Sequence, residues 1–377
     1  MSVAIFHRKT LAENIARRAL SAKGVSGVFI SAPRRTGKST LINEDIVPYL
    51  RDAGAEVIYV DLWSDRSRDP SDLISEAIRD HLLQREGAIL KWARKGGLDK
   101  VKLAGIEMDI GKVGIGSGKT IAKALAELSD ATEHMIVLVI DEAQHAITTG
   151  AGADTLFALK AARDQLNGSA HFGFRLIATG SNRDKLSLLV QGKDQAFLSA
   201  VLMDLEPLGE DYLAWELDQY DDEVKPSVAV IKRAFVAAGH KPETLRKALD
   251  DLAFRFDVTA DNVDAVFQEV VDKIMAEAKQ GFMRQINSLP PLQAAVLTVM
   301  ATTGADFAPF RPRTVDMYVQ ACKKFTGDEI KIEGSSIQYA LESLRAKSLV
   351  WNSSRGVYAI EDSQHVVWII EESLRAG

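Results

Sequence analysis

Ser31-Ala32-Pro33-Arg34-Arg35-Thr36-Gly37-Lys38-Ser39-Thr40 is the stretch that decides the fold. It closes on Gly37-Lys38-Ser39, the residue types a phosphate-binding loop needs. Backbone N–H groups of such a loop face the phosphates, the lysine reaches the β/γ oxygens, and the serine hydroxyl is a ligand for Mg²⁺. The full pattern asks for another glycine five residues before Gly37, and Ala32 stands there. Ala is small, so the departure weakens the motif without removing it. The flanks support it. Gly27-Val28-Phe29-Ile30 is a short apolar run of strand formers, as a buried parallel strand should be. After the loop, Leu41, Ile42, Ile46, Val47 and Leu50 recur at roughly helical spacing. The helix start adds its dipole to the anion site.

The chain has 377 residues, which predicts two or three domains. Apolar residues make up 46% and charged residues 26%, ordinary values for a soluble globular protein. A net charge of −6 gives no overall attraction to nucleic acid or anionic membrane. Cys322 is the only cysteine, so an internal disulfide and a multi-cysteine zinc site are excluded, and a reducing cytoplasm is expected. Phe6-His7-Arg8-Lys9 and Arg17-Arg18 interrupt any apolar run near the start, so no signal peptide is expected, and no stretch reads as a membrane span.

Residues 1–210 alternate strand-like and helix-like runs, which argues for α/β layers. A helix is expected over Leu11–Leu20, a strand over Glu56–Asp61, and a helix from Pro70 to about Leu90. The alternation in Lys100–Asp109 suggests a β-hairpin insertion. Thr120–Leu128 reads as helix, Met135–Ile140 as a fully buried strand, and Phe174–Thr179 and Val201–Leu205 as two more strands. Composition shifts at Pro207-Leu208-Gly209, after which 211–285 is mostly helical, and Pro290-Pro291 marks a further boundary. In 286–377, helices are expected at Leu292–Met300, Thr314–Lys324 and Ser336–Lys347. Leu349-Val350-Trp351 and Val357–Ile360 follow as a hairpin, the outline of a winged helix.

Asp141-Glu142 ends the Met135–Ile140 run. Two adjacent carboxylates at the end of a buried strand are costly without partners, and Mg²⁺ and an attacking water are suitable ones. Asp141 then holds the metal together with Ser39, and Glu142 polarises the water, which makes the site hydrolytic. Gly114-Ile115-Gly116-Ser117-Gly118-Lys119-Thr120 looks richer in glycine than the first loop. Asp141 lies only 22 residues beyond Lys119, leaving room for one helix before the acidic strand, so this segment is read as a hairpin exit. Arg175-Leu176-Ile177-Ala178-Thr179-Gly180-Ser181-Asn182 is a strand ending in small polar groups. A hydroxyl or amide there can hydrogen-bond a γ-phosphate or the water, or Gly180-Ser181-Asn182 can simply form a turn.

Together these residues resemble the AAA+/STAND class of P-loop ATPases, over roughly residues 1–285. Gly37-Lys38-Ser39 matches the first Walker motif, Asp141-Glu142 the second, and Ser181-Asn182 the sensor 1 position. Pro33-Arg34-Arg35 resembles the archaeal-type branch, and Phe6-His7-Arg8 its N-terminal box, with His7 where members usually carry Gly. Gly239-His240-Lys241-Pro242 resembles the STAND lid, where the proline packs by the adenine; Pro in the first turn of an ordinary helix is the plain alternative. The resemblance implies an α/β P-loop NTPase with a parallel sheet flanked by helices (1–210), a helical lid (211–285) and a C-terminal winged-helix domain (286–377). It implies ATP and Mg²⁺ as ligands and an ATPase activity. Nucleotide contacts are implied for Ala32, Pro33, Arg34, Arg35, Thr36, Gly37, Lys38, Ser39, Thr40, Arg8 and Pro242. Catalytic roles are implied for Glu142, Lys38, Ser181 and Asn182, and metal binding for Ser39 and Asp141. Related ATPases often carry an arginine finger just before the last strand, where this chain reads Phe197-Leu198-Ser199-Ala200. Arg183, Arg175, Arg34, Arg35 or a partner are the remaining sources.

Residues 291–377 hold nine basic and ten acidic side chains, which is not a basic footprint for DNA. The third helix offers only Arg345 and Lys347 near its end, with Glu342 beside them, and Arg355 at the wing tip. The expected role is therefore a molecular switch that controls self-assembly, as a homo-oligomer, or a partner protein. A DNA-associated AAA+ ATPase is the alternative, and a membrane partner is not expected.

Overall fold

The apolar runs picked out above become one parallel sheet. β1 (Val28–Ser31), β2 (Ala55–Asp61), β3 (Met135–Asp141), β4 (Phe174–Gly180) and β5 (Val201–Asp204) pair in the order β2-β3-β4-β1-β5. The computed structural model describes residues 4–22, 26–87, 89–90, 120–168, 171–181, 183–191, 195–221, 225–326, 331–352 and 357–375. The hairpin expected at Lys100–Asp109, the glycine-rich 114–119 segment, Asn182 and Arg355 lie outside the described residues. The described chain forms two compact units, Met1–Pro207 and Leu208–Gly377.

In the first unit the central strands are covered on both faces, so β1 and β4 are buried along their whole length. The helix Lys9–Leu20 turns Ala12, Ile15, Ala16 and Ala19 into a core that also holds Val28, Ile30, Ile42 and Ile46. Burying side chains of the size of Ile15 contributes about 1.5–3 kcal/mol each. The helix after the phosphate loop begins at Lys38–Thr40, widens into a π-helical turn at Leu41–Ile46 and resumes as Val47–Asp52. The π turn was not visible in the sequence, which reads only as helical.

Three elements differ from expectation. The helix from Pro70 to Gln84 is interrupted by a turn at Arg85, whose Nε donates to Glu56 Oε1 at 2.7 Å, and residues 86–87 and 89–90 are again helical. Its start is fixed by Asp69, whose carboxylate accepts from Ser71 N at 2.8 Å, with Pro70 in the first turn. Gly150–Asn167 is an 18-residue helix that the sequence reading left out. A terminal helix, Ser363–Arg375, also follows the hairpin.

The second unit starts with the helices Glu210–Leu217, Val228–Ala237, Pro242–Ala253 and Val263–Asn287. Arg246 makes a two-pronged ion pair with the buried Glu216, at 2.8 and 2.7 Å, and Tyr212 OH donates to the same carboxylate at 2.7 Å. The boundary expected at 285/286 falls inside the 25-residue helix Val263–Asn287. The last turns of that helix carry Phe282 and Ile286 into the core of the following segment.

That segment is a winged helix. Pro291–Thr303, Pro312–Thr326 and Gly334–Ala346 are its three helices, and β6 (Val350–Asn352) pairs antiparallel with β7 (Tyr358–Ile360). Ile337, Ala340, Leu341 and Leu344 face its core, as their spacing predicted. Trp351 is buried and Tyr339 is 71% exposed.

Candidate functional site

The carboxyl ends of β3, β4 and β1 lie side by side. Register pairs Ser31 with Gly180 and Asp61 with Asp141. Crevices beyond the carboxyl ends of parallel strands are where ligands bind in such sheets. The loop 32–37 runs over this edge, and its geometry is built locally. Thr36 Oγ1 donates to Pro33 O at 2.7 Å, and Arg35 and Gly37 both adopt left-handed backbone, at φ 64° and 84°. Gly37 suits that conformation, whereas Arg35 adopts it against its own preference, the kind of strain found at binding sites. Ala32 is absent from the left-handed positions, and its N–H donates to Gly180 O at 3.0 Å. A Cβ is therefore tolerated where the motif usually has glycine.

Lys38 and Asp141 are almost fully buried, at 6% and 2% exposure. Lys38 Nζ donates to Asp141 Oδ1 at 2.7 Å and to Glu142 Oε1 at 2.6 Å. Ser39 Oγ donates to Asp141 Oδ2 at 2.8 Å, and the Glu142 N–H to Oδ1 at 2.9 Å. The Thr179 hydroxyl donates to Oδ1 as well, and Tyr59 OH lies 3.5 Å from Oδ2. Asp141 thus gathers five donors. Burial and the negative charge of Asp141 push the Tyr59 phenol up, so it stays protonated as a donor.

Glu142 sits one residue beyond the strand with left-handed backbone, at φ 54°. Burial pushes its carboxyl up, but Lys38 and Gln144 outweigh that and hold it at about 2, with Arg34 adding to the effect. It is ionised at neutral pH and able to accept a hydrogen bond from water. Gln144 is wholly buried, and its amide donates to Glu142 Oε2 at 2.5 Å and to Ser181 Oγ at 3.3 Å. A Cβ on Gly180 would lie 2.5 Å from Gln144 Oε1, so only glycine lets the amide approach this strand end.

Trp63 follows β2 and was not singled out in the sequence. The Arg34 guanidinium lies 4.3 Å from the centre of its ring and the Arg66 guanidinium 4.9 Å, while the His145 ring is 4.4 Å away. Burial holds His145 down at about 3, so it packs there as a neutral ring.

The structure therefore brings together Ala32, Thr36, Gly37, Lys38, Ser39, Asp141, Glu142 and Ser181 at one strand edge. Pro33 and Arg35 are exposed on the loop, and Thr40 is exposed in the helix that follows it. Arg8 is held on the same unit, with its N–H on Asp45 Oδ2 at 2.9 Å and its guanidinium on Glu206 O at 2.7 Å, just beyond the carboxyl end of β5. His7 Nδ1 lies 2.6 Å from Asp45 Oδ1. Pro242 opens its helix in the second unit, after a turn with left-handed Gly239 and His240. Among the finger candidates, Arg175 is ruled out. It sits near the amino end of β4, buried, donating to Asn167 Oδ1 and Phe174 O. Arg183 pairs with Asp204 at 2.7 Å. Tyr59, Gln144 and Trp63 are the neighbours that sequence reasoning missed, since nothing local marks them, whereas Thr179 belongs to the polar strand end that the sequence picks out.

A hydroxyl and a carboxylate on adjacent elements, Ser39 and Asp141, are the hard oxygen donors that suit Mg²⁺. That ion typically takes one or two carboxylates and completes its shell with phosphate and water. Among the described residues no cluster of three or more His, Cys, Asp or Glu forms an all-protein metal cage.

No family model matches the sequence, and no curated protein matches it significantly. Among solved structures, the Aeropyrum pernix ORC2 protein in its ADP form aligns with 98% of this chain and 93% of its own, at a TM-score of 0.52 and 15% identity. Its ADPNP-ADP complexes align with 97% and 92% of the two chains, at 0.51 and 15%. The Aeropyrum pernix ORC1 protein in complex with DNA aligns over 99% and 94% at 14% identity, but its TM-score of 0.46 supports no inference. At 15% identity the ORC2 likeness is one of fold: a parallel-sheet core of P-loop type, then a helical region and a winged helix. Among the described residues no helix is long and apolar enough to cross a membrane.

Proposed function

We propose that this chain is a DNA-associated ATPase of the AAA+ class. The observation that carries the ATPase reading is the buried cluster in which Lys38 meets Asp141 and Glu142 while Ser39 meets Asp141. A buried ammonium between two carboxylates is poised to exchange partners with an incoming phosphate. In this reading the 32–40 loop wraps the phosphates of ATP and Lys38 turns to the β/γ oxygens. Ser39 and Asp141 would hold Mg²⁺, which would neutralise phosphate charge. Glu142, oriented by Gln144, aligns a water with the γ-phosphorus. The water oxygen bonds to that phosphorus, the bond to the bridging oxygen breaks with its electron pair left on ADP, and the water gives up a proton as phosphate forms. Ser181 and Asn182 act as the sensor of the γ-phosphate. The ORC2 structures of the same fold were determined with ADP and ADPNP, which supports adenine as the base.

Two roles compete for the rest of the molecule. The Gly239–Pro242 turn favours a STAND-type switch for assembly. DNA association is favoured by the winged-helix fold itself and by the face that the helix Gly334–Ala346 leaves exposed. Ser335, Ser336, Gln338 and Tyr339 lie exposed in its first half. Residues at the start of a recognition helix are the ones that reach base edges. The experiment is phosphate release from ATP in Mg²⁺, with filter binding of duplex DNA at several salt concentrations. Turnover by the full chain and a salt slope of several log units are expected. Absence of turnover sinks the ATPase reading, and absence of DNA retention at low salt leaves the switch.

A further inference from the structure

Trp63 is held more firmly than a surface indole needs to be. Its backbone N–H donates to Asp61 Oδ1 at 2.8 Å, and Ser64 closes the turn on Asp61 O through its own backbone N–H and hydroxyl, at 3.3 and 2.7 Å. Leu62 N donates to Asp141 O at 3.1 Å. The turn is therefore fixed to the end of β3, and the indole has a set place relative to Asp141 and Glu142. Across from it, Arg34 leaves a loop that is itself fixed by the Thr36–Pro33 bond and by the left-handed Arg35. The two meet with the guanidinium 4.3 Å from the ring centre. A guanidinium over an aromatic face is held there by cation–π attraction.

We propose that Trp63 is a positioning residue that holds the Arg34 guanidinium over the phosphate loop, where Arg34 supplies in cis the positive charge that an arginine finger would otherwise bring. The inference rests on the ATPase reading above. It deepens that reading by naming the source of the charge left unassigned among Arg34, Arg35, Arg175, Arg183 and a partner. Arg175 is at the other end of its strand, and Arg183 is paired with Asp204. The Trp63 ring also packs against the His145 ring at 4.4 Å, three residues beyond the water-orienting Glu142. As the bond between the bridging oxygen and the γ-phosphorus breaks, charge grows on the oxygens of both fragments. A guanidinium that is already in place needs no reorganisation to meet it.

The test uses the full chain with two readouts: steady-state phosphate release, and the ratio of affinities for ATPγS and ADP by competition against a fluorescent ADP analogue. Arg34→Ala and Trp63→Ala are each expected to lower kcat by about 30-fold or more with KM changed less than about threefold. Both should also lose the preference for ATPγS over ADP. Trp63→Phe retains an aromatic face and should restore kcat to within about threefold of wild type. The Arg34→Ala/Trp63→Ala double variant should be no slower than Arg34→Ala, since the two act as one unit. Fully additive losses, a Trp63→Phe variant as slow as Trp63→Ala, or loss in Arg66→Ala with Arg34→Ala active would each overturn the inference. If wild type turns over ATP and Arg34→Ala matches it in both readouts, the inference fails alone. If wild type binds neither nucleotide, the ATPase reading fails with it.

Discussion

At the amino ends of the strands, Asn167 clamps β4 by accepting from Phe174 N at 2.9 Å and donating to Phe174 O at 3.0 Å, and Glu56 is met by Arg85 at 2.7 Å and His81 at 2.6 Å. At the carboxyl ends, Asp141 alone takes Lys38, Ser39, Thr179, Tyr59 and the N–H of Glu142, and Glu142 sits in left-handed backbone. Both ends bury polar groups, but to different effect. The amino-end contacts close on partners nearby and tie strands to helices. The carboxyl-end contacts crowd donors and carboxylates from four elements onto one point, together with backbone strain. Buried charge that is concentrated in this way is poor evidence for stability and a good marker of a site that works on a ligand. The same sheet is thus anchored at one end and poised at the other.

Substitutions at the two ends should separate activity from stability. The largest effect is expected at the carboxyl end. Glu142→Gln should cut ATP turnover by about 10²–10⁴-fold, measured as phosphate release, with nucleotide affinity kept. Equal rates would remove Glu142 from the chemistry. Asn167→Ala should do the reverse. It strands the Phe174 N–H and carbonyl and one acceptor of Arg175, a cost of about 2 kcal/mol, which lowers Tm by about 4–8 °C for a unit of this size. Turnover at temperatures below the transition should not change; a loss of turnover matching that of Glu142→Gln would erase the contrast between the ends.

How much of this was legible in the sequence follows the same division between local and distant contacts. The Gly37-Lys38-Ser39 loop, the strand before it and the carboxylates after Met135–Ile140 are contiguous signals, and the structure brings them together. Ala32 looked like a defect only because its backbone angles are not written in the sequence. Thr179 and Tyr59 reach Asp141 through the pairing of β4 and β2 with β3, and register between parallel strands is a non-local property. Trp63 meets Arg34 across two loops for the same reason. The helix Gly150–Asn167 escaped notice because Gly150 and Gly152 open it and its apolar positions are broken by charges. The helix Val263–Asn287 crosses a boundary drawn from prolines, because Phe282 and Ile286 are needed in the next core.

The smallest effect is a pH dependence at the amino end. Burial pushes the Glu56 carboxyl up, but the bonds from Arg85 and His81 prevail and hold it below its ordinary value. Glu56 therefore stabilises the fold fully above the unfolded carboxylate value, near about pH 4.3, and loses that contribution as pH falls through the lower, folded value. Wild type should exceed Glu56→Gln by about 1 kcal/mol at neutral pH, in thermal or urea unfolding, and the gap should close in acid. A gap that widens in acid would reverse the sign assigned to this cluster.

The central claim is that the carboxyl edge of the sheet is a nucleotide site, and calorimetric titration of the full chain with ATPγS in Mg²⁺ tests it most directly. Wild type and Asn167→Ala are predicted to bind alike below the melting temperature of the variant. Lys38→Ala should bind at least about tenfold more weakly, since it loses a charge-assisted contact with phosphate. Wild type that binds no nucleotide, or a Lys38→Ala variant that binds as wild type does, would contradict the claim.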